Sequence, residues 1–140
     1  MRRWEGTAGA GRTQVCLRLA DTGQGVEILL TGGHSPHIGA VVMALPRPSL
    51  AEGGAPSCDT FVLPVPGHKD FIPAEHVAAI FSKALAVPVV VTCGIHSDSM
   101  SGEEIGLVLS NVDGLCRAGL AGMAAACPDN PPGPCAAFAR

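Results

Sequence analysis

Residues 31–50 have the sequence TGGHSPHIGAVVMALPRPSL, and this stretch is the most informative in the chain. A Gly-Gly pair ends one predicted strand, two histidines follow three positions apart, and residues 38–45 form an apolar run of strand length. A strand that is apolar at successive positions is typical of one covered on both faces, so this strand is expected at the centre of a sheet. Pro46 and Pro48 lack the N–H group that a ladder needs and are expected to end it.

Further strand signals lie on both sides of this run. Residues 13–19 alternate between apolar and polar side chains, and residues 26–31 follow after a Gly-rich turn, so the two are expected to pair as a hairpin. Residues 60–65 and residues 88–95 supply a fourth and a fifth predicted strand.

Two helices are predicted in the second half of the chain. The first begins near Pro73, a residue that suits the first turn of a helix, and the second begins at the capping box S-G-E-E that starts with Ser101. The order ββββαβα predicts an α+β fold, with a mainly antiparallel sheet of five or six strands and two helices on one face. The uncovered, valine-rich sheet face favours a homodimer that buries sheet against sheet.

The length and composition predict one domain. The chain has 140 residues, of which 47% are hydrophobic and 15% charged, and this is enough apolar material for a core. Residues 1–11, rich in Gly and Ala, are expected to be a flexible N-terminus. Residues 12–126 are expected to form the single α+β domain, and residues 127–140 a Pro-rich flexible tail.

Composition and charge argue against several classes of function. The net charge is −3 and the basic residues are dispersed, so the stripe of positive charge that binds nucleic acid is missing from the sequence. The sequence contains neither the ~20 apolar residues of a transmembrane helix nor a signal-peptide pattern, so a cytoplasmic protein without membrane association is expected. The six cysteines contain no C-x-x-C pair, which indicates reduced thiols rather than a zinc or redox motif.

The polar residues of the 31–50 stretch are candidates for an anion-binding site. Gly32 and Gly33 offer backbone N–H groups of the kind that bind phosphates and carboxylates. Arg47 lies between two prolines and is able to pair with the same anion in a bidentate manner. With His34 and His37 beside them, anion binding competes with the simpler interpretation of a sharp turn and an exposed arginine.

The histidines also raise the alternative of a metal-dependent enzyme. His34, His37 and His96 would supply three imidazoles to a catalytic ion, with His68 as a further candidate. The favoured interpretation is that the histidines bind backbone groups at strand ends, because the further ligands come from segments other than the one that contains His34 and His37. Cys93 is expected to be a core residue rather than a nucleophile, and the sequence shows no complete catalytic motif, so a non-enzymatic protein is expected.

Three segments together resemble a known family. They are the 31–50 stretch, FVLPVPGHKDFIPAEHVAAIFSKAL from residue 61, and VVVTCGIHSDSMSGEEIGLVLSNV from residue 89. These segments are similar to the small bacterial proteins of the prenylated-flavin chaperone family, which contain an LpdD-like domain and are known from gallate-type decarboxylase operons. The resemblance covers roughly residues 12–116 and is most specific over residues 32–40.

The resemblance implies a non-enzymatic protein that is similar in fold to the eukaryotic proteasome assembly chaperones. It implies that the protein assists maturation, or delivery of prenylated FMN, for a UbiD-type aromatic acid decarboxylase. The apolar surface near Val41 and Met43 would then contact the flavin ring. The residues that would hold the anionic end are Gly32, Gly33, His34, His37 and Arg47. A protein-interaction module without a ligand and the metal-dependent enzyme described above are the two alternatives.

Overall fold

The computed structural model describes residues 2–125, which form six strands and two long helices. In chain order the elements are β1 (Arg3–Ala8), a 3-10 turn (Gly11–Thr13), β2 (Val15–Asp21), β3 (Val26–Gly33), β4 (Ala40–Arg47), β5 (Ser57–Pro64), α1 (Phe71–Leu85), β6 (Val89–His96) and α2 (Gly102–Ala125). The predicted tail, residues 127–140, lies outside the described residues.

The six strands form one mixed sheet with the order β1-β2-β3-β6-β4-β5. Only the β3–β6 pair is parallel among the described strands, and the other four neighbouring pairs are antiparallel. After α1 the chain returns as β6, which inserts between β3 and β4. This arrangement confirms the predicted α+β fold with a mainly antiparallel sheet.

Both helices cover the same face of the sheet. Alternate residues of β2 and β3, such as Leu17 and Ile28, are fully buried on that face. Helix α1 packs on β4, β5 and β6 and contributes the buried Phe81, whereas α2 packs on β1 and β2. On the opposite face, Met43 and Phe61 are paired across β4 and β5 and are exposed. None of the described helices is long and apolar enough to cross a membrane.

The capping box predicted at the start of α2 is present. The Ser101 N–H donates to a carboxylate oxygen of Glu104 at 2.8 Å, and the Glu104 N–H donates to the Ser101 hydroxyl at 3.2 Å. The capping box therefore satisfies two backbone donors at the start of α2, as this motif does in general.

The N-terminal segment differs from the expectation of a flexible N-terminus, since Arg3–Ala8 form β1 at the edge of the sheet. Small residues make this strand possible, because they leave room for the Trp4 indole between β1 and α2. A Cβ on Gly122 would lie 2.5 Å from the Trp4 ring, and a Cβ on Gly119 would lie 3.3 Å from it. Within the N-terminal segment itself, a Cβ on Gly6 would overlap the same ring, so this glycine also leaves space for the indole.

Strand β4 also runs further than predicted, because Pro46 is accommodated within it. Pro46 is paired with Cys58 of β5, but β6 accompanies β4 only up to Ala44. Past Ala44 one side of β4 is therefore an edge, where a residue without an N–H group costs no ladder bond.

The Trp4 contact predicts opposite effects for two glycine substitutions in α2. Gly122→Ala should destabilise the protein by about 1–2 kcal/mol, because overpacking against the indole outweighs the gain in helix propensity. Gly106→Ala is the matched control: Gly106 is exposed, nothing lies within 4 Å of its Cβ position, and the substitution should stabilise by about 0.5–1 kcal/mol. Urea denaturation of both variants tests the prediction, and equal stabilisation would show that the indole is not packed there.

Candidate functional site

Three loops meet at one end of the sheet. Because β3 and β6 are parallel, their carboxyl ends lie side by side, with Gly33 opposite His96. Strand β4 begins at the same end, where Ala40 is opposite Cys93, and α1 begins there as well. The polar residues of the loops between these elements are thereby collected at one place, although they are far apart in sequence.

The loop between β3 and β4 is held against the end of β6 by backbone hydrogen bonds. The N–H groups of His34 and Ser35 both donate to the carbonyl of His96, at 2.8 and 3.2 Å, and the Gly39 N–H donates to the carbonyl of Cys93 at 2.8 Å. Gly94 allows this close contact, because a Cβ at that position would overlap the His37 carbonyl. The loop backbone that carries His37 is therefore fixed on β6.

Three side chains converge at this point, and we refer to His37, His68 and Asp70 as the imidazole–carboxylate cluster. Nε2 of His37 lies 2.9 Å from Nδ1 of His68 and 3.2 Å from Oδ2 of Asp70. Nδ1 of His68 lies 3.5 Å from the same carboxylate oxygen. The three ligand-type atoms thus form a small triangle contributed by two different loops.

Asp70 is the buried member of the cluster, with a side chain only 6% exposed. It occupies the N-cap position of α1 but does not cap that helix with its side chain. Its Oδ1 instead accepts a hydrogen bond of 2.8 Å from the Ile95 N–H, and Gly39 leaves the space that the carboxylate fills. One carboxylate therefore connects α1, β6 and the His37 loop.

Cys93 lies close to this buried carboxylate and is itself fully buried. Burial, together with the charge of Asp70, raises the pKa of the Cys93 thiol well above its usual range. The thiol is therefore uncharged and unreactive at neutral pH, and the prediction that Cys93 is a core residue is confirmed.

The hydrogen bond on the far side of the His37 ring determines its tautomer. Nδ1 of His37 lies 3.0 Å from the carbonyl oxygen of Ser35, which can only accept, so Nδ1 carries a hydrogen. In the neutral ring Nε2 then has a lone pair that points into the cluster, toward Nδ1 of His68 and Oδ2 of Asp70. The arrangement is suited to hold a metal ion or a shared proton between Nε2 and the carboxylate.

His96 and His34 lie at the edge of the cluster. The His96 ring meets the His37 ring edge-on, with centroids 5.9 Å apart, and its Nε2 lies 3.0 Å from Oδ1 of Asp98. His34 is exposed, and its backbone rather than its ring makes the contacts to His96. Of the three histidines predicted as a metal site, the structure brings His37 and His96 together and leaves His34 at the surface.

Gly32 and Gly33 have a role that the sequence did not reveal. Both lie in β3 between β2 and β6, and the Gly33 N–H donates to the carbonyl of Gln14 at 2.9 Å. Gly33 has a φ of +73°, and a Cβ there would overlap the His96 carbonyl. The glycines permit close backbone contact, and the N–H group of Gly33 is already occupied within the protein.

Arg47 does not lie beside the histidines, which corrects the expectation of one shared anion site. It ends β4, whereas His37 precedes the start of that strand, and seven steps of about 3.3 Å separate the two ends by about 23 Å. Its Nε donates to Oδ1 of Asp59 at 2.7 Å, and its Nη1 donates to the Pro48 carbonyl.

Sequence reasoning missed Asp70 and gave His68 a minor place. Both lie in the turn between β5 and α1, where an aspartate directly before a helix is expected to act as a cap. The available signal was the pair of a histidine and an aspartate two positions apart in one turn. Its significance depends on the packing of that turn against β6, which no local pattern shows.

The comparisons with known proteins identify the family. Residues 9–124 match the family model described as the prenylated flavin chaperone LpdD-like domain. The chain belongs to this family. The match confirms the resemblance found in the sequence, and because the family is one of chaperones, it also confirms the expectation of a non-enzymatic protein. A chaperone in turn implies a partner protein.

A solved structure shows the same fold. It is a chain of the crystal structure of a novel chaperone complex for yeast 20S proteasome assembly, with 14% sequence identity and a TM-score of 0.53. The similarity covers 89% of this chain and 95% of the other, which confirms the predicted likeness to proteasome assembly chaperones at the level of the fold. The comparison with curated proteins found no match.

The contact between Asp70 and Ile95 predicts how two substitutions will differ. Asp70→Ala removes the acceptor of a buried N–H and should cost about 1–3 kcal/mol more than Asp70→Asn, whose amide oxygen can still accept that bond. The free energy of unfolding, measured with urea, gives the comparison.

Asp113 offers the matched control for this prediction. It is 45% exposed and pairs with His76 on the helix surface, so its Ala and Asn variants should be equally stable within about 0.5 kcal/mol. Asp70 variants of equal stability would contradict the role of the carboxylate as the buried acceptor for Ile95.

Proposed function

We propose that this protein is a chaperone that binds prenylated FMN transiently and assists the maturation of, or prenylated-FMN delivery to, a UbiD-type aromatic acid decarboxylase. The observation that carries the proposal is the group of imidazoles from His37, His68 and His96 at one end of the sheet, in a chain of the prenylated flavin chaperone family. The chemistry of the surrounding side chains fits the two ends of such a ligand.

The anionic end of the flavin would be held by imidazoles and by the adjoining loop. His68 and His96 are 36% and 47% exposed at their side chains, so their ring nitrogens are accessible to a phosphate. Lys69, next to His68, is exposed and adds a positive charge. The start of α1 lies in the same place, and the positive end of its dipole favours an anion there.

The apolar ring system would lie on hydrophobic side chains beside the cluster. Ile38 is 63% exposed and follows His37 directly. Val65 is 37% exposed and is tied to the same loop by a hydrogen bond of its N–H group to the Gly39 carbonyl. Exposed apolar groups next to polar donors are typical of a ligand or partner site.

The exposure of these groups agrees with a carrier rather than a resident-cofactor enzyme. The imidazoles are partly exposed and Ile38 is largely so, which means that a bound flavin would be covered on one side only. A ligand held on an open surface loses less of its hydration and dissociates more readily than one in a closed pocket. Delivery to a partner requires this kind of release.

Titration of the purified chain with prenylated FMN under anaerobic conditions tests the binding step. We expect one site per chain. The affinity for prenylated FMN should fall at least about tenfold in His96→Ala, because a charge-assisted hydrogen bond contributes about 1.5–3 kcal/mol. His76→Ala and Arg47→Ala are controls, since one residue lies on the helix surface and the other at the far end of β4, and neither should change the affinity. Absence of binding, or equal losses in all three variants, would overturn the proposed site.

We further propose that two copies of the chain pair through the open face of the sheet. Met43, Phe61 and Leu63 form an exposed apolar area on β4 and β5. At the other edge of the same face, β1 and β2 carry the ion pair between Arg18 and Glu5. A two-fold arrangement would bury the apolar areas against each other and leave the charged parts in water.

Light scattering coupled to size-exclusion chromatography tests this pairing. The wild-type chain should have twice the mass of one copy, and Phe61→Glu should convert it to a monomer because a buried, unpaired carboxylate is costly. Leu50→Glu is the control, since Leu50 is 90% exposed in the loop after β4 and should leave the dimer intact. A monomeric wild-type chain would refute the homodimer.

A further inference from the structure

We propose that His37, His68 and Asp70 form a binding site for a divalent transition-metal ion. The site differs from the three-histidine set expected from the sequence, because it replaces His34 and His96 by His68 and a buried carboxylate. It consists of two imidazole nitrogens and one carboxylate oxygen, which is a donor set typical of zinc, iron, cobalt and manganese sites.

The distances between the three donor atoms agree with a common ion. Their separations of 2.9, 3.2 and 3.5 Å form a nearly regular triangle. A point about 2.1 Å from each atom, the usual metal–ligand distance, lies about 1 Å from the plane of this triangle. The donors are thus placed for one ion with little movement of either loop.

His37 and Asp70 are each oriented by a hydrogen bond at the atom of the side chain that faces away from the ion. Nδ1 of His37 donates to the Ser35 carbonyl, so the Nε2 lone pair is directed at the site. Oδ1 of Asp70 accepts the Ile95 N–H, which leaves Oδ2 for the ion. Support of this kind, in which a ligating imidazole donates to a carbonyl and a ligating carboxylate is itself hydrogen-bonded, is a regular feature of metal sites.

The protons of the cluster also favour a cation between its members. The neutral His37 ring places an acceptor nitrogen 3.2 Å from an acceptor oxygen of Asp70, and two acceptors at this distance repel each other. A hydrogen on Nδ1 of His68, which lies 2.9 Å from Nε2, reduces that repulsion, and a proton on Nε2 or a metal ion removes it. The proton alternative is an ion pair between an imidazolium and Asp70, and the experiment below separates the two.

The site is accessible on one side. His37 and His68 are 24% and 36% exposed, whereas Asp70 is buried, so an ion would be reached from the loop side. With three protein ligands, positions for water or an incoming ligand oxygen stay open, next to the ring of His96. A cation there would also balance the charge of Asp70 near an anionic ligand.

The experiment is a titration of the full chain, without a histidine tag and treated with a chelator, using Co²⁺ and Zn²⁺ and no flavin. The visible absorption of Co²⁺ reports the coordination, and calorimetry with Zn²⁺ gives the affinity. We expect one ion per chain and at least about 100-fold weaker binding in His68→Ala and in Asp70→Asn, since even supporting residues contribute 10–100-fold. Circular dichroism confirms that the variants are folded.

His76 provides the matched control for the metal site. It lies 2.7 Å from Asp113 as an exposed His–Asp pair without a third ligand among the described residues, so His76→Ala should leave metal affinity unchanged. No binding by the wild-type chain, or equal affinity in wild type, His68→Ala and Asp70→Asn, would overturn the metal site in favour of the proton-linked pair. Because the titration contains no flavin, its outcome is independent of the proposed cofactor role.

Discussion

The functional end of this molecule depends on one buried carboxylate. Asp70 accepts the Ile95 N–H at 2.8 Å through one oxygen and contacts His37 through the other, so it joins β6, the start of α1 and the loop before β4. A buried charge is stable only when it is paired and hydrogen-bonded, and Gly39 makes this possible by leaving space for the carboxylate. The positions of the imidazoles around it follow from the same contacts.

The sheet topology explains why these residues meet. The parallel pair of β3 and β6 places two carboxyl strand ends side by side, and both of the following loops approach each other there. Backbone bonds from His34 and Ser35 to the His96 carbonyl then fix the first loop. The result is a rigid polar site on an open surface, in a fold that proteasome assembly chaperones share. In the proposed function this site holds a ligand temporarily, while the apolar sheet face pairs with a second copy of the chain.

The sequence was sufficient to predict much of the fold but less of the site. Periodicity identified five of the six strands and both helices, whereas β1 was missed because its small residues resemble a loop and its Trp4 contact involves α2, more than a hundred residues later. His34, His37 and His96 were recognised as candidates because imidazoles are common metal ligands, but the sequence did not show which of them come together. Asp70 was missed because its burial depends on β6. Arg47 was grouped with the histidines because closeness in sequence does not account for the length of an extended strand.

The most direct test of the chaperone function is the transfer of prenylated FMN from the loaded chain to an apo UbiD-type decarboxylase. Decarboxylase activity is followed as the cofactor arrives, with free prenylated FMN at the same concentration as the reference. We expect that the loaded wild-type chain activates the enzyme faster than free cofactor and that His96→Ala loses this advantage. Equal activation by free cofactor, wild type and variant would contradict it.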